Sequence, residues 1–158
     1  LGLIGMGRIA QELAKRGDAL GMTVIYTDIL GPNPALPYRF VSQEEVLKQA
    51  DFVSLHIPSA GDGKPVIGEA ELKLMKPSAF LVNTARGGLV DECALCAALE
   101  NGELAGAAID VYAEEPTKNE RLVGNCKVSL TPHIGAATAE AQQRIGTEIV
   151  DIICCFFS

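Results

Sequence analysis

A short apolar strand that runs straight into glycine limits this chain's fold more than any other stretch. It reads Leu1-Gly2-Leu3-Ile4-Gly5-Met6-Gly7-Arg8-Ile9-Ala10. Gly5-x-Gly7-x-x-Ala10, opening a helical pattern, is the strand–turn–helix form of a dinucleotide-binding fingerprint, with alanine in the third place. The first glycine makes the tight turn, and the second lets the backbone approach a pyrophosphate. The third small residue lets helix and strand pack closely. The free N–H groups at the positive end of the helix would face that pyrophosphate. Three positions alone are a weak signal, so the rest of the chain has to supply the context.

Apolar and β-branched runs at Leu1–Ile4, Thr23–Thr27, Phe52–His56, Ala79–Asn83, Leu104–Ile109 and Lys127–Leu130 read as strands. Helical patterns separate them. Ile9, Leu13, Ala14 and Leu20 mark the first, closed by Gly21. Ser42-x-x-Glu45 is a capping box for a second, ending near Ala50. Glu69 to Met75 forms a third, and Asp91 caps a fourth that stops at Asn101-Gly102. Gly61-Asp62-Gly63 makes a flexible loop, and Tyr112–Gly124 is rich in turns. A last helix carries Ala137, Ala141, Ile145, Ile149, Ile152 and Phe156, and its end is apolar nearly all round, so it needs a neighbour on both sides. Alternating strands and helices predict an α/β fold. It is a Rossmann-type doubly wound parallel sheet of about six strands with helices on both faces.

At 158 residues the chain can bury one substantial core. A net charge of −7 without a Lys/Arg cluster argues against nucleic acid or an anionic membrane as partner. No apolar run approaches the roughly 18 residues of a membrane span, and there is no signal-peptide pattern. Five cysteines, an odd number without regular spacing, suggest reduced thiols and a cytoplasmic protein. Cys93-x-x-Cys96 has no second CxxC to complete a metal site, so no metal is expected. Small, buried, inert thiols are the simpler reading.

Ligands of parallel α/β sheets bind beyond the carboxyl ends of the strands, and the chain's unusual residues fall there. Asp28, 18 residues past Ala10, suits the hydroxyls of an adenine ribose and would repel a 2′-phosphate, which favours NAD over NADP. Without the fingerprint it would read as a solvated aspartate opening a turn. Ile57-Pro58, Thr84-Ala85-Arg86, Asp110, and His133 with Gly135 end the other strands. His56 closes a buried strand and reads as structural. His133 is a candidate general acid/base. Glu115 could hold its ring, and Arg86 could clamp a substrate carboxylate and polarise a carbonyl. With nicotinamide nearby, that set suits hydride transfer to or from a hydroxyl-bearing carbon. The same three residues could instead form an ion-pair network stapling the loops.

Four stretches, in this order and spacing, are highly specific: 3–9 (LIGMGRI), 83–92 (NTARGGLVDE), 106–116 (GAAIDVYAEEP) and 131–136 (TPHIGA). On them the chain resembles the NAD-binding domain of the D-isomer-specific 2-hydroxyacid dehydrogenases, most of all their D-3-phosphoglycerate dehydrogenase branch. The resemblance implies Arg86, Glu115 and His133 as the catalytic set, with Glu115 chosen over Glu114 because it directly precedes Pro116. It implies that Gly5, Gly7, Arg8 and Ile9 meet the pyrophosphate and that Asp28 holds the ribose. Ile57, with Pro58, lies on the adenine side, and Thr84, Ala85 and Asp110 on the nicotinamide side. Gly135 and Ala136 complete the pocket beside His133.

The resemblance further implies oxidation of 3-phosphoglycerate to 3-phosphohydroxypyruvate in serine biosynthesis. Alternatives are a hydroxypyruvate/glyoxylate reductase, a D-lactate-type enzyme, or a non-enzymatic NAD-sensing corepressor-like protein. Residues 1–136 would be the NAD-binding domain, and 137–158 a helix that returns to a substrate domain built mainly from preceding residues. A chain that starts inside a strand reads as part of something longer, expected to bind NAD alone but to turn over little substrate. A homodimer or higher homo-oligomer is the family's habit. The chain departs from the pattern at Ala10, where glycine is commoner. It also departs in the glycine-rich 59–64 loop and at Cys93 and Cys96, where a glycine and an aliphatic residue are expected.

Overall fold

A computed structural model describes residues 1–59, 61 and 63–157, so part of the expected 59–64 loop, including Asp62, lies outside the described residues. In chain order the elements are β1 (Gly2–Ile4), α1 (Arg8–Ala19), β2 (Ile25–Thr27), β3 (Arg39–Phe40), α2 (Gln43–Gln49), β4 (Phe52–Leu55) and α3 (Glu69–Leu72). There follow β5 (Phe80–Asn83), α4 (Glu92–Glu100), β6 (Gly106–Ile109), α5 (Glu120–Val123), β7 (Val128–Leu130) and α6 (Ala139–Phe157).

The strands form one parallel sheet in the order β3-β2-β1-β4-β5-β6-β7. Strand order runs one way from β1 through β2 to β3 and the other way from β4 onward. The switch point therefore lies between β1 and β4, where a doubly wound sheet opens a crevice. The glycine turn leaves β1 at that point.

Among the described residues the sheet has seven strands rather than six. The extra one, β3, is two residues long and pairs Ile25 with Arg39 and Tyr26 with Phe40. Two residues carry no alternation, so it leaves no periodic trace in the sequence. It is held by packing, Tyr26 meeting Phe40 edge to face at 5.5 Å between ring centres. A single helical turn, α5, also interrupts the Tyr112–Gly124 segment, with Asn119 Oδ1 accepting from the Leu122 N–H at 3.2 Å. The helix expected over Glu69 to Met75 stops at Leu72.

Apolar side chains fill both faces of the sheet. Leu3, Met6, Ala10, Ala14, Val24 and Tyr26 pack under α1, and the larger cluster joins β4, β5 and β6 to α2, α3 and α4. Ala10 is fully buried, so the third fingerprint position needs a small residue and alanine satisfies it. The predicted caps form at Ser42 and Asp91, but the Ser42 capping box closes on one side only, since the Glu45 carboxylate accepts from the Gln49 amide at 3.3 Å. Ser42 Oγ accepts from the Glu45 N–H, and Asp91 Oδ1 accepts from the N–H groups of Cys93 and Ala94. Only Cys96 fits the expectation of buried thiols; Cys93, Cys126, Cys154 and Cys155 are exposed, Cys93 because α4 turns Leu95, Cys96, Ala98 and Leu99 inward, and Cys154 and Cys155 because α6 buries none of its residues. α6 buries none of its residues, leaving Ile149, Ile152, Phe156 and Phe157 in solvent. Among the described residues no helix is long and apolar enough to cross a membrane.

Candidate active site

Backbone and carboxylate together shape the glycine turn. Gly5 has φ +91°, and a Cβ there would stand 2.5 Å from the His56 carbonyl oxygen, so both conformation and space demand glycine. Asp28, at the end of β2, accepts from the Met6 N–H at 2.7 Å and from the Leu30 N–H at 2.9 Å. The residue expected to receive a ribose thus also fixes the turn beside it. Each of its oxygens has a second lone pair for a ligand hydroxyl. Gly7 caps α1 with no side-chain hydrogen bond, no acid stands in the first turn, and a Cβ on Gly7 would meet nothing within 4 Å. The N–H groups of α1 are therefore uncapped and approachable, which fits a pyrophosphate.

A cleft of about 420 Å³ runs from Arg8 and Ile9 across Ile57 and Pro58 to Thr84, Ala85 and Arg86. Ile9 stands 75% exposed at its lip. His56 shares the cleft, but its Nε2 lies 2.9 Å from Ser54 Oγ, and burial holds the imidazole below its ordinary pKa. That is a structural role.

His133 and Glu115 come together. His133 Nδ1 lies 2.8 Å from Glu115 Oε2, while Glu115 Oε1 accepts from the Tyr112 N–H at 3.1 Å. The hydrogen bond with His133, and then that from Tyr112, lower the Glu115 pKa below its ordinary value. A carboxylate can only accept, so Nδ1 carries the proton, and Nε2 is the ring nitrogen left to exchange one with a ligand.

The His133 backbone is unusual, with φ +53°, a left-handed region that residues other than glycine seldom enter and in which Asn, Asp and His are the commonest of them. Asp110 supports it, accepting from Thr131 Oγ at 2.5 Å, the Ile134 N–H at 2.9 Å and the Gly135 N–H at 3.1 Å. Burial alone would raise the Asp110 pKa. Its hydrogen bonds and nearby His133 outweigh that and lower it. The Asp110 carboxylate, expected on the nicotinamide side, thus also shapes the His133 loop, and its Oδ2, which accepts only from Gly135, has a second lone pair. Tyr112 pins the same loop, its hydroxyl donating to the Thr131 carbonyl at 2.7 Å.

Arg86 stands apart from this pair. Asn83, buried at the end of β5, donates to the Arg86 carbonyl at 3.0 Å and accepts from the Ala85 N–H at 3.2 Å. The guanidinium is exposed and donates to the Ala85 carbonyl at 2.6 Å. Among the described residues no carboxylate pairs with it. The three residues are therefore not one ion-pair staple, and a charged group stays available for an anionic ligand.

Gly87 joins the two halves, because a Cβ there would lie 1.6 Å from the Tyr112 carbonyl oxygen. The Arg86 loop thus rests directly on the loop that carries Glu115. Asn83, Tyr112 and Thr131 escape a reading for site residues. Their trace is a polar side chain beside a buried strand's end, which only a contact can interpret. Gly135 and Ala136 lie exposed beside His133. Among the described residues, no group of three or more His, Cys, Asp and Glu is placed to hold a metal ion.

Comparison with known proteins follows the same lines. Residues 1–135 match the family described as D-isomer specific 2-hydroxyacid dehydrogenase, NAD binding domain. A glyoxylate reductase from Thermococcus litoralis is 45% identical over 159 residues, covering 99% of this chain and 48% of that protein. A D-3-phosphoglycerate dehydrogenase from Methanocaldococcus jannaschii is 41% identical over 162 residues, covering 97% and 30%. Among solved structures, a glyoxylate reductase from Paecilomyes thermophila aligns with a TM-score of 0.88 at 41% identity, covering 92% of this chain and 45% of that one. The chain spans about half the length of the glyoxylate reductases it matches.

Proposed function

The chain belongs to the D-isomer-specific 2-hydroxyacid dehydrogenases, as their NAD-binding domain, and on that premise we propose that the whole protein interconverts a D-2-hydroxyacid and its 2-oxoacid. The observation that carries the proposal is the Glu115–His133 pair at 2.8 Å, on the same sheet edge as the glycine turn. NAD, when bound, supplies the two-electron redox chemistry.

The chain's residues do the rest. The α1 N-terminus with Gly5, Gly7, Arg8 and Ile9 holds the pyrophosphate, and Asp28 accepts from the ribose hydroxyls. Ile57 and Pro58 border the adenine. Thr84, Ala85, Asp110, Gly135 and Ala136 shape the nicotinamide end between Arg86 and His133. His133 Nε2 gives a proton to the oxygen of a 2-oxoacid and takes it back in the reverse direction. Glu115 keeps the ring in the right tautomer and stabilises the imidazolium. Arg86 clamps the substrate carboxylate and polarises the neighbouring carbonyl.

The proposal extends to a cytoplasmic homo-oligomer in which α6 covers its exposed apolar side chains against a substrate domain. For the substrate we propose 3-phosphoglycerate within serine biosynthesis. The 45% identity to a glyoxylate reductase favours glyoxylate or hydroxypyruvate as the second reading.

Steady-state assays of the complete protein test this directly. Turnover is expected with at least one of 3-phosphoglycerate, glyoxylate and hydroxypyruvate, with NAD(H) preferred over NADP(H). Asp28→Ala then removes a charged acceptor and narrows that preference about 10- to 100-fold. An enzyme that prefers NADP(H), or whose preference ignores Asp28, contradicts the role given to this carboxylate.

A further inference from the structure

Glu92 opens α4 directly after its cap Asp91. An acid at such a place ordinarily does no more than complement the helix dipole. Here both oxygens are taken up by another loop. Oε1 accepts from the Ala113 N–H at 2.9 Å, and Oε2 accepts from the Asn119 side-chain amide at 3.0 Å. Between those two anchors runs the segment that carries Glu115. Asn119 in turn caps α5 through the Leu122 N–H, and α4 is fixed to the core by fully buried Leu95, Cys96 and Leu99. A rigid line therefore runs from the core through Glu92 to both ends of the 113–119 loop. Glu115 lies on that loop, 2.8 Å from His133.

The geometry points to Glu92 as a positioning residue, whose two-armed carboxylate sets the 113–119 loop so that Glu115 meets His133. The inference rests on the dehydrogenase reading for its effect on turnover, but not for its effect on Glu115. Other groups facing Glu115 are the Tyr112 N–H and the Asp110 carboxylate; on its own loop, Glu114 and Lys118 pair with each other at 2.6 Å. None of these replaces the two anchors.

Two substitutions in the complete protein separate positioning from helix charge. Glu92→Asp keeps the charge at the helix start but is too short to reach both Ala113 and Asn119. Glu92→Gln loses the charge but keeps the reach and an oxygen acceptor for the Ala113 N–H; its amide N–H groups meet those of Asn119, whose oxygen is held by the Leu122 N–H, so only the Ala113 arm remains. Glu92→Asp is expected to lower kcat about 10- to 100-fold, with KM for NAD changed less than about twofold. It should also move the Glu115 carboxyl titration, followed by carbon-13 NMR, upward toward its ordinary value of 4.5. Glu92→Gln, which keeps the Ala113 arm, should fall between the unaltered protein and Glu92→Asp in both measurements. The inference is overturned if Glu92→Asp behaves as the unaltered protein in both measurements, or if Glu92→Gln is the more damaging of the two. If the unaltered protein turns over no 2-hydroxyacid, the dehydrogenase reading fails, while the Glu115 titration still decides the role of Glu92.

Discussion

On the proposed dehydrogenase chemistry, His133→Asn is expected to lower kcat of the complete protein by about 10² to 10⁴-fold and to leave NAD affinity within about threefold. Asparagine is chosen because it tolerates the φ of +53° that the loop imposes on His133. The Asp110 hydrogen bonds to Thr131, Ile134 and Gly135 do not involve the imidazole, so the loop keeps its shape. What is lost is the proton carried at Nε2 and its partnership with Glu115. Cofactor affinity, by contrast, draws on the glycine turn, Asp28 and the α1 N-terminus, which the substitution does not touch. Steady-state kinetics and a fluorescence titration with NAD measure the two effects separately. A protein of this fold that only senses NAD for a partner would show no turnover to lose, and its partner binding would be indifferent to His133.

Gly87→Ala is expected to cost roughly 3 kcal/mol or more of stability, because overpacking against a fixed backbone has nowhere to relax. Its Cβ would lie 1.6 Å from the Tyr112 carbonyl oxygen and 2.2 Å from the carbonyl carbon, atoms that no rotamer change can move. The neighbouring glycine supplies the control. Gly88 has φ +79° but open space around a Cβ, so Gly88→Ala is expected to cost only about 1–2 kcal/mol of backbone strain. Urea denaturation of the two variants ranks them. Equal losses would mean that the Arg86 loop does not rest on the Glu115 loop as described. The larger loss in Gly87→Ala should be accompanied by a fall in turnover, since parting these loops moves Arg86 away from His133.

The parts of this molecule that follow local rules are written in its sequence. The turn at Gly5 and Gly7, the caps at Ser42 and Asp91, and six of the strands rest on short-range spacing, and they form where the spacing puts them. Whatever depends on contact between distant segments is silent. β3 owes its existence to Tyr26 and Phe40, and two residues cannot show a period. Asp28 is readable as a ribose ligand, but its hydrogen bond to the Met6 N–H is not. Asp110 is readable as a polar residue at a strand end on the nicotinamide side, but its hydrogen bonds to Thr131, Ile134 and Gly135, which shape the His133 loop, are not. Glu92 is the plainest case. In the sequence it is an acid at a helix start, and only the fold brings Ala113 and Asn119 to its two oxygens.

The account stands on NAD lying along the carboxyl edge of the sheet, across the turn between β1 and α1. Mapping amide chemical shifts by NMR while NAD is titrated into the chain tests this most directly. Saturable shifts are expected at Gly5, Gly7, Arg8, Ile9 and Asp28, at Ile57, at Thr84 to Arg86, and at Ile134 to Ala136. Phe52, Phe80 and Lys127, at the opposite ends of their strands, should stay unmoved. Shifts confined to that opposite edge, or none that saturate, would contradict it.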